Sequence, residues 1–216
     1  LGMSAEAPVV VVKELKKKDY CGGAGIVASH IKALGANCKL ISVIGNDKNG
    51  EFVKNRIDEE NIRNGLIIDN SRPTTFKKRY VVENQKLFRV TKLEQSELNK
   101  NIEQKVINEL ENSASEANGI VISDFVYGVM TKKILNKILE LAEKYKLHLF
   151  GDLQCSSQIG SIMKFKDFSL LCPNEREARI ALHDKDLDLE ALSIKIIKET
   201  NADKLIMKLG SDGFIA

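Results

Sequence analysis

Short apolar runs alternate with longer segments whose apolar residues return every three to four positions, and this alternation restricts the possible folds more than any other feature of the chain. "APVVVVK" (residues 7–13) reads as a strand, after which Ala24, Val27, Ala28, Ile31 and Leu34 fall on one helical face. "CKLISVIG" reads as a buried strand, residues 49–62 as a helix with Phe52, Val53 and Ile57 inward, and "GLIID" as another strand. Leu98, Ile102, Val106 and Leu110 mark a helix, "GIVIS" a strand, and Ile134, Leu135, Ile138, Leu139 and Ala142 a further helix. "LHLFGD" is a strand ending at an acid. "CPNEREARIAL" is a helix with Pro173 in its first turn, residues 187–199 are helical, and "KLIMKLG" closes with a strand. Strands separated by helices of this length imply right-handed βαβ crossovers and an α/β fold, a mostly parallel sheet flanked by helices. Ligands of such sheets sit at the carboxyl ends of the strands, which singles out residues 45–47, Asp124, Asp152, residues 173–177 and residues 210–213.

One region departs from this pattern. Residues 74–92, "TTFKKRYVVENQKLFRVTK", alternate polar and apolar residues on both sides of "ENQ", the signature of a β-hairpin. Inserted in an α/β domain it reads as a lid or a dimerising flap. It carries Lys77, Lys78, Arg79 and Arg89, and arginine can clamp a phosphate with two parallel hydrogen bonds.

With 33 basic against 30 acidic residues, the net charge of +3 lacks the footprint of a nucleic-acid surface. No apolar run approaches the roughly 20 residues of a membrane span, and "LGMSAEAPVVVVK" lacks the basic leader of a signal peptide. Cys21, Cys38, Cys155 and Cys172 lie too far apart for a zinc site and read as buried thiols of a reducing compartment, so the cytoplasm is expected. His30, His148 and His183 form neither a triad nor a metal spacing, and His148 reads as a core residue of its strand.

"CGGAGIVASHIKALGAN" opens with glycines that could cradle a phosphate, but Gly22, Gly23 and Gly25 do not have the G-x-G-x-x-G spacing of a dinucleotide fingerprint. Their bare backbone suits either tight packing or a sugar lying against a helix N-terminus. Asn174 and Glu177, three apart on one helix, can hold a magnesium ion through water or can simply be first-turn residues. "KLGSDG" ends a strand in spaced glycines that suit a nucleotide or a plain turn. Asp124 and Asp152, at neighbouring strand ends, can accept hydrogen bonds from sugar hydroxyls.

Taken in order, these pieces resemble the ribokinase-like, PfkB-type sugar kinases over nearly the whole chain. "GGAGIVASHIKALGAN" with "ISVIGND" is similar to the family's first signature, "CPNEREA" to its P-N-x-x-E magnesium motif, and "KLGSDG" to its strand-end G-x-x-G. "SAEAPVVVVK", "RPTTFKKRYVVENQKLFRV" and "ISDFVYG" resemble the heptose-7-phosphate kinase branch. The resemblance implies a ribokinase-like domain over residues 1–216 with residues 74–92 as its lid. It implies ATP-dependent phosphorylation of a sugar phosphate, at the anomeric hydroxyl of a heptose 7-phosphate, for surface-glycan precursors. Asn174 and Glu177 would support Mg2+. Lys208, Gly210 and Gly213 would line the ATP side. Gly22, Gly23 and Asp124 would face the sugar, with Lys77, Arg79 and Arg89 on its phosphate. A homodimer through the lid is expected.

The chain departs from the family at Ile26, where a sugar-contacting Asn is usual, at Tyr127, where the branch often has Lys, and at "DLQ" (residues 152–154), where it has a D-P-K-like run. The family's first strand should precede Leu1, and the loop carrying its catalytic aspartate should follow Ala216, so both ends of the family domain are expected to be missing. The alternative function is a catalytically degenerate kinase fold that binds a sugar phosphate for regulation.

Overall fold

The computed structural model describes residues 2–3, 5–6, 10–83, 85–154 and 160–216. Asn84, Cys155, and residues 7–9 of the first expected strand lie outside the described residues. The element order is β1 (Gly2–Met3), β2 (Val10–Val11), α1 (Ala24–Ala33), β3 (Lys39–Ile44), α2 (Lys48–Glu59), β4 (Arg63–Ile68), β5 (Phe76–Val82), β6 (Gln85–Lys92), α3 (Lys100–Ala114), β7 (Gly119–Asp124) and α4 (Lys132–Tyr145). It continues with β8 (His148–Leu153), β9 (Leu170–Leu171), α5 (Glu175–Leu182), α6 (Leu189–Thr200), β10 (Met207–Lys208) and β11 (Phe214–Ile215).

The parallel βαβ architecture is present, in two pieces. β3 pairs with β4 in parallel, and β7, β8 and β9 form a second parallel sheet. Parallel bridges Leu171↔Leu205 and Asn174↔Lys208 carry the second sheet on towards β10. β3 and β7 are not paired with each other among the described residues, and both line a cleft of about 2290 Å³. The hairpin β5–β6 is antiparallel, with a bulge between Tyr80 and Val81.

Burial follows the helical periodicity closely where a helix packs on the larger sheet. Ile102, Val106 and Leu110 of α3 and Ile134, Leu135 and Ile138 of α4 are buried against Ile122 and Leu149. Phe165, Phe168, Leu171, Leu192 and Ile196 are fully buried, and this cluster is the main core. A smaller one, Ala28, Leu40, Ile57 and Ile62, joins α1, β3 and α2. Side chains cap the helices: Thr131 Oγ1 accepts from the Ile134 amide at α4, and Asn99 Oδ1 from the Ile102 amide at α3.

Several local expectations are corrected. Leu34 is not on the buried face: α1 stops at Ala33, Leu34 is its C-cap, and Gly35 at φ +93 turns the chain away, leaving Leu34 88% exposed. Phe52 is 36% exposed, because α2 packs through Ile57 and through Gly50, where a Cβ would sit 2.4 Å from the Gly45 carbonyl. His148 is exposed rather than core, since it opens β8 and its ring lies 3.5 Å from Ser169 Oγ. Pro173 precedes α5 instead of opening its first turn. Its carbonyl accepts the Lys208 amide at 2.8 Å, tying it to β10 and leaving Asn174 as the cap. The closing strand is shorter than "KLIMKLG", spanning Met207–Lys208 before a turn into β11.

Candidate active site

The hairpin is held over the cleft by a polar knot at its root. Asp47 caps α2 through Gly50 and also accepts from the Thr74 amide at 3.0 Å, while Thr74 Oγ1 accepts from the Gly45 amide at 2.9 Å. Gly45 must be glycine, because a Cβ there would lie 2.5 Å from the Arg72 carbonyl. Arg72 is the centre of this region. Its Nε donates to Asp69 Oδ2 at 3.0 Å and its Nη2 to the Ser96 and Glu97 carbonyls at 3.1 and 3.3 Å, with both side chains of the ion pair buried. Burial raises the Asp69 pKa, but hydrogen bonds from the Ser71 hydroxyl and amide and from Arg72 outweigh it and hold the carboxyl below its ordinary value.

Gly22, Gly23, Lys77, Arg79, Arg89 and Asp124 all line the cleft. Gly23 is the N-cap of α1 at φ 55, a conformation that favours glycine, and a Cβ on it would sit 3.3 Å from the Phe125 ring. The Lys77 ammonium lies 5.3 Å from the Phe125 ring centroid and 4.8 Å from that of Tyr127, a cation–π contact with both. Arg79 and Arg89 are direct cross-strand partners, and Lys77 lies two residues before Arg79 on the same face. Lys78 points to the other face, ion-paired with Glu14 at 2.6 Å and over the Tyr80 ring. Ile26 is 41% exposed.

Asp124 is the last residue of β7 and is buried. Its Oδ1 accepts from the Val126 amide at 2.8 Å, and its Oδ2 is ion-paired with Lys164. Asp152 on β8 is ion-paired with Lys208. The two acids lie at neighbouring strand ends, as their register requires, and each holds a lysine.

Asn174, Glu177, Lys208, Gly210 and Gly213 do not line this cleft; they gather beyond β9. Asn174 and Glu177 form a capping box: Asn174 Oδ1 accepts the Glu177 amide at 2.8 Å, and Glu177 Oε2 accepts the Asn174 amide at 2.9 Å. Glu177 is 5% exposed, so this is a buried carboxylate at a helix N-terminus. No group of three or more His, Cys, Asp or Glu that could hold a metal occurs among the described residues. With Asn174 Oδ1 and Glu177 Oε2 each on a backbone amide, the pair fits magnesium through bridging water. Gly210 and Gly213, at φ 66 and 90, form the turn from β10 to β11 with open space above both. Cys172 lies beside Asp152 and Lys208, and burial pushes its thiol pKa up.

Sequence reasoning misses Arg72, Asp69, Phe125 and Lys164. "IIDNSRPTT" does carry an Asp–Ser turn signal before the hairpin, but, Asp69 apart, the partners of Arg72 lie 24–55 residues away.

A family described as pfkB family carbohydrate kinase matches residues 3–216. The bifunctional protein HldE of a Nitratiruptor species is 32% identical over 214 residues, covering 98% of this chain and 44% of that protein. The chain thus spans less than half the length of this curated relative. Among solved structures, ribokinase from Giardia lamblia superposes with a TM-score of 0.69 at 17% identity, covering 88% of this chain and 62% of that one. The tetrameric inhibited form of phosphofructokinase-2 from Escherichia coli superposes with a TM-score of 0.68 at 16% identity, covering 89% and 63%. These two likenesses show the fold, which is ribokinase-like.

Proposed function

The chain belongs to the pfkB family of carbohydrate kinases, and from that premise we propose that it is part of a cytoplasmic, ATP-dependent kinase acting on a sugar phosphate. The proposed acceptor is the anomeric O1 of a heptose 7-phosphate, in surface-glycan precursor synthesis. The observation that carries this reading is the gathering of Lys77, Arg79 and Arg89 with Gly22, Gly23 and Asp124 around one cleft. Two guanidiniums directly opposite each other across a hairpin match the spread of a phosphate's oxygens, which arginine can clamp bidentately. Asp124 then accepts from a sugar hydroxyl, and the glycine backbone lets the ring lie close to α1.

Catalysis in such a site is positioning and charge neutralisation. Lys208 and the Gly210–Gly213 turn approach the nucleotide. Asn174 and Glu177 would hold Mg2+ through water, and the ion would supply neutralisation of phosphate charge. The proton of the attacking hydroxyl is assigned to none of the residues described. Residues 74–92 act as the lid.

Titration calorimetry against a panel of sugar phosphates and their unphosphorylated counterparts tests the reading. Binding of the phosphorylated sugars is expected, and Arg89→Ala should weaken it by about tenfold or more, the loss expected for a charge-assisted hydrogen bond, while leaving unphosphorylated sugars little affected. Equal losses for both classes would remove the lid from the phosphate site.

The hairpin also offers exposed apolar residues that fit a second copy of the chain. Tyr80 and Phe88 stack there at 4.5 Å, and Phe88 and Val90 are 44% and 51% exposed. Sedimentation should give a dimer that Phe88→Asp converts to monomer; a wild-type monomer at micromolar concentration would refute this assembly.

A further inference from the structure

Asp124 lines the cleft and Lys164 does not, yet the two are ion-paired. The lysine reaches the carboxylate from the turn that follows β8 and is not itself one of the residues around the cleft. Its backbone is well anchored: the flanking Ile162 and Phe165 are both fully buried, and Ser161 caps the short 3-10 turn Ile162–Lys164 through the Met163 amide at 3.2 Å. The pair also joins segments distant in sequence, the end of β7 and the turn that follows β8. The Asp124 side chain is 5% exposed and that of Lys164 30%, so the acid is the desolvated partner and the lysine reaches in to it.

We propose that Lys164 is a positioning residue of the sugar side of the cleft, holding the Asp124 carboxylate in place and cancelling its charge so that an anionic ligand can approach. This rests on the reading of the cleft as a sugar-phosphate site. A buried carboxylate without a countercharge repels a phosphorylated sugar and is itself costly to bury. With Lys164 in place the Asp124 oxygens still accept from a hydroxyl, while the net charge of the cleft stays positive through Lys77, Arg79 and Arg89. Lys164 thus contributes to selecting phosphorylated over neutral sugars without touching either.

The test is a double-mutant cycle read in two ways. In thermal unfolding, Lys164→Met is expected to lower the midpoint by about 5 °C or more, as for a buried acid stripped of its partner. Lys164→Arg should restore most of it, and the Lys164→Met/Asp124→Asn double variant should be more stable than the sum of the single losses. In calorimetry, Lys164→Met should weaken a phosphorylated sugar at least tenfold more than its unphosphorylated counterpart, with Lys164→Arg near wild type. Additive thermal losses, or wild-type affinity in Lys164→Met, would overturn the proposal. If the wild-type protein binds no phosphorylated sugar, the reading of the function fails instead, and the thermal cycle still decides whether Lys164 holds Asp124.

Discussion

Arg72→Ala is expected to lower the unfolding midpoint by about 10 °C, because removing one partner of a buried ion pair costs about 3–5 kcal/mol in a protein of this size. The guanidinium is hydrogen-bonded to Asp69 and to the carbonyls of Ser96 and Glu97, with a longer contact to Tyr127, so its loss strands several acceptors at once. Arg72→Lys should recover only part of the loss, since an ammonium cannot reproduce the planar fork. Asp69 adds a pH signature. Its folded pKa is depressed, so the stability it contributes is fully present above its unfolded value of about 3.9 and is lost as pH falls through the folded value. Arg72→Ala removes one of the groups that depress that pKa, so its acid loss should be shallower than that of the wild type. Urea unfolding between pH 3 and 7 measures the acid effect and a thermal scan the other, and a midpoint change below about 2 °C at pH 7 would show that the knot is not structural.

Glu177→Gln is expected to reduce turnover of the intact protein with magnesium-ATP by about a hundredfold, the scale of losing one electrostatic stabiliser of a transition state. Sugar affinity should hardly change. Folding should hardly change either, because glutamine can keep the third-position role in the capping box that Glu177 shares with Asn174. Glu177→Ala is the control: it breaks the box and should cost about 1 kcal/mol of stability. Wild-type turnover in Glu177→Gln would leave this carboxylate as a cap and nothing more. Because the pair is committed to each other's backbone, the kinetic and stability readouts must be taken together to separate the two roles.

The fold is readable wherever periodicity and burial agree. Ile102, Val106 and Leu110 lie on the buried side of α3, and Ile134, Leu135 and Ile138 do the same on α4. Alternation likewise marks the hairpin and puts Lys77, Arg79 and Arg89 on one face, since opposite and alternate residues share a side. It fails at element ends. Leu34 continues the pattern of α1 but falls after the helix stops, and His148 keeps strand alternation at the exposed start of β8. Pro173 suits a first helical turn by composition, yet its carbonyl is claimed by Lys208, 35 residues on, which no local rule reports.

At the site, chain order and residue type alone set what stands at the strand ends. Asp124, Asp152 and the glycines of residues 22–23 and 210–213 follow apolar runs or open helices, and chain order alone puts them there. What each of them touches depends on the packed fold. Lys164 on Asp124, Lys208 on Asp152, Arg72 on the Ser96 and Glu97 carbonyls, and Lys77 over Phe125 and Tyr127 are contacts set by how the packed elements meet. The physical reason is one of range: propensity and periodicity act over a few residues, whereas a buried charge finds its partner across the fold, wherever packing excludes water and leaves an opposite charge within reach.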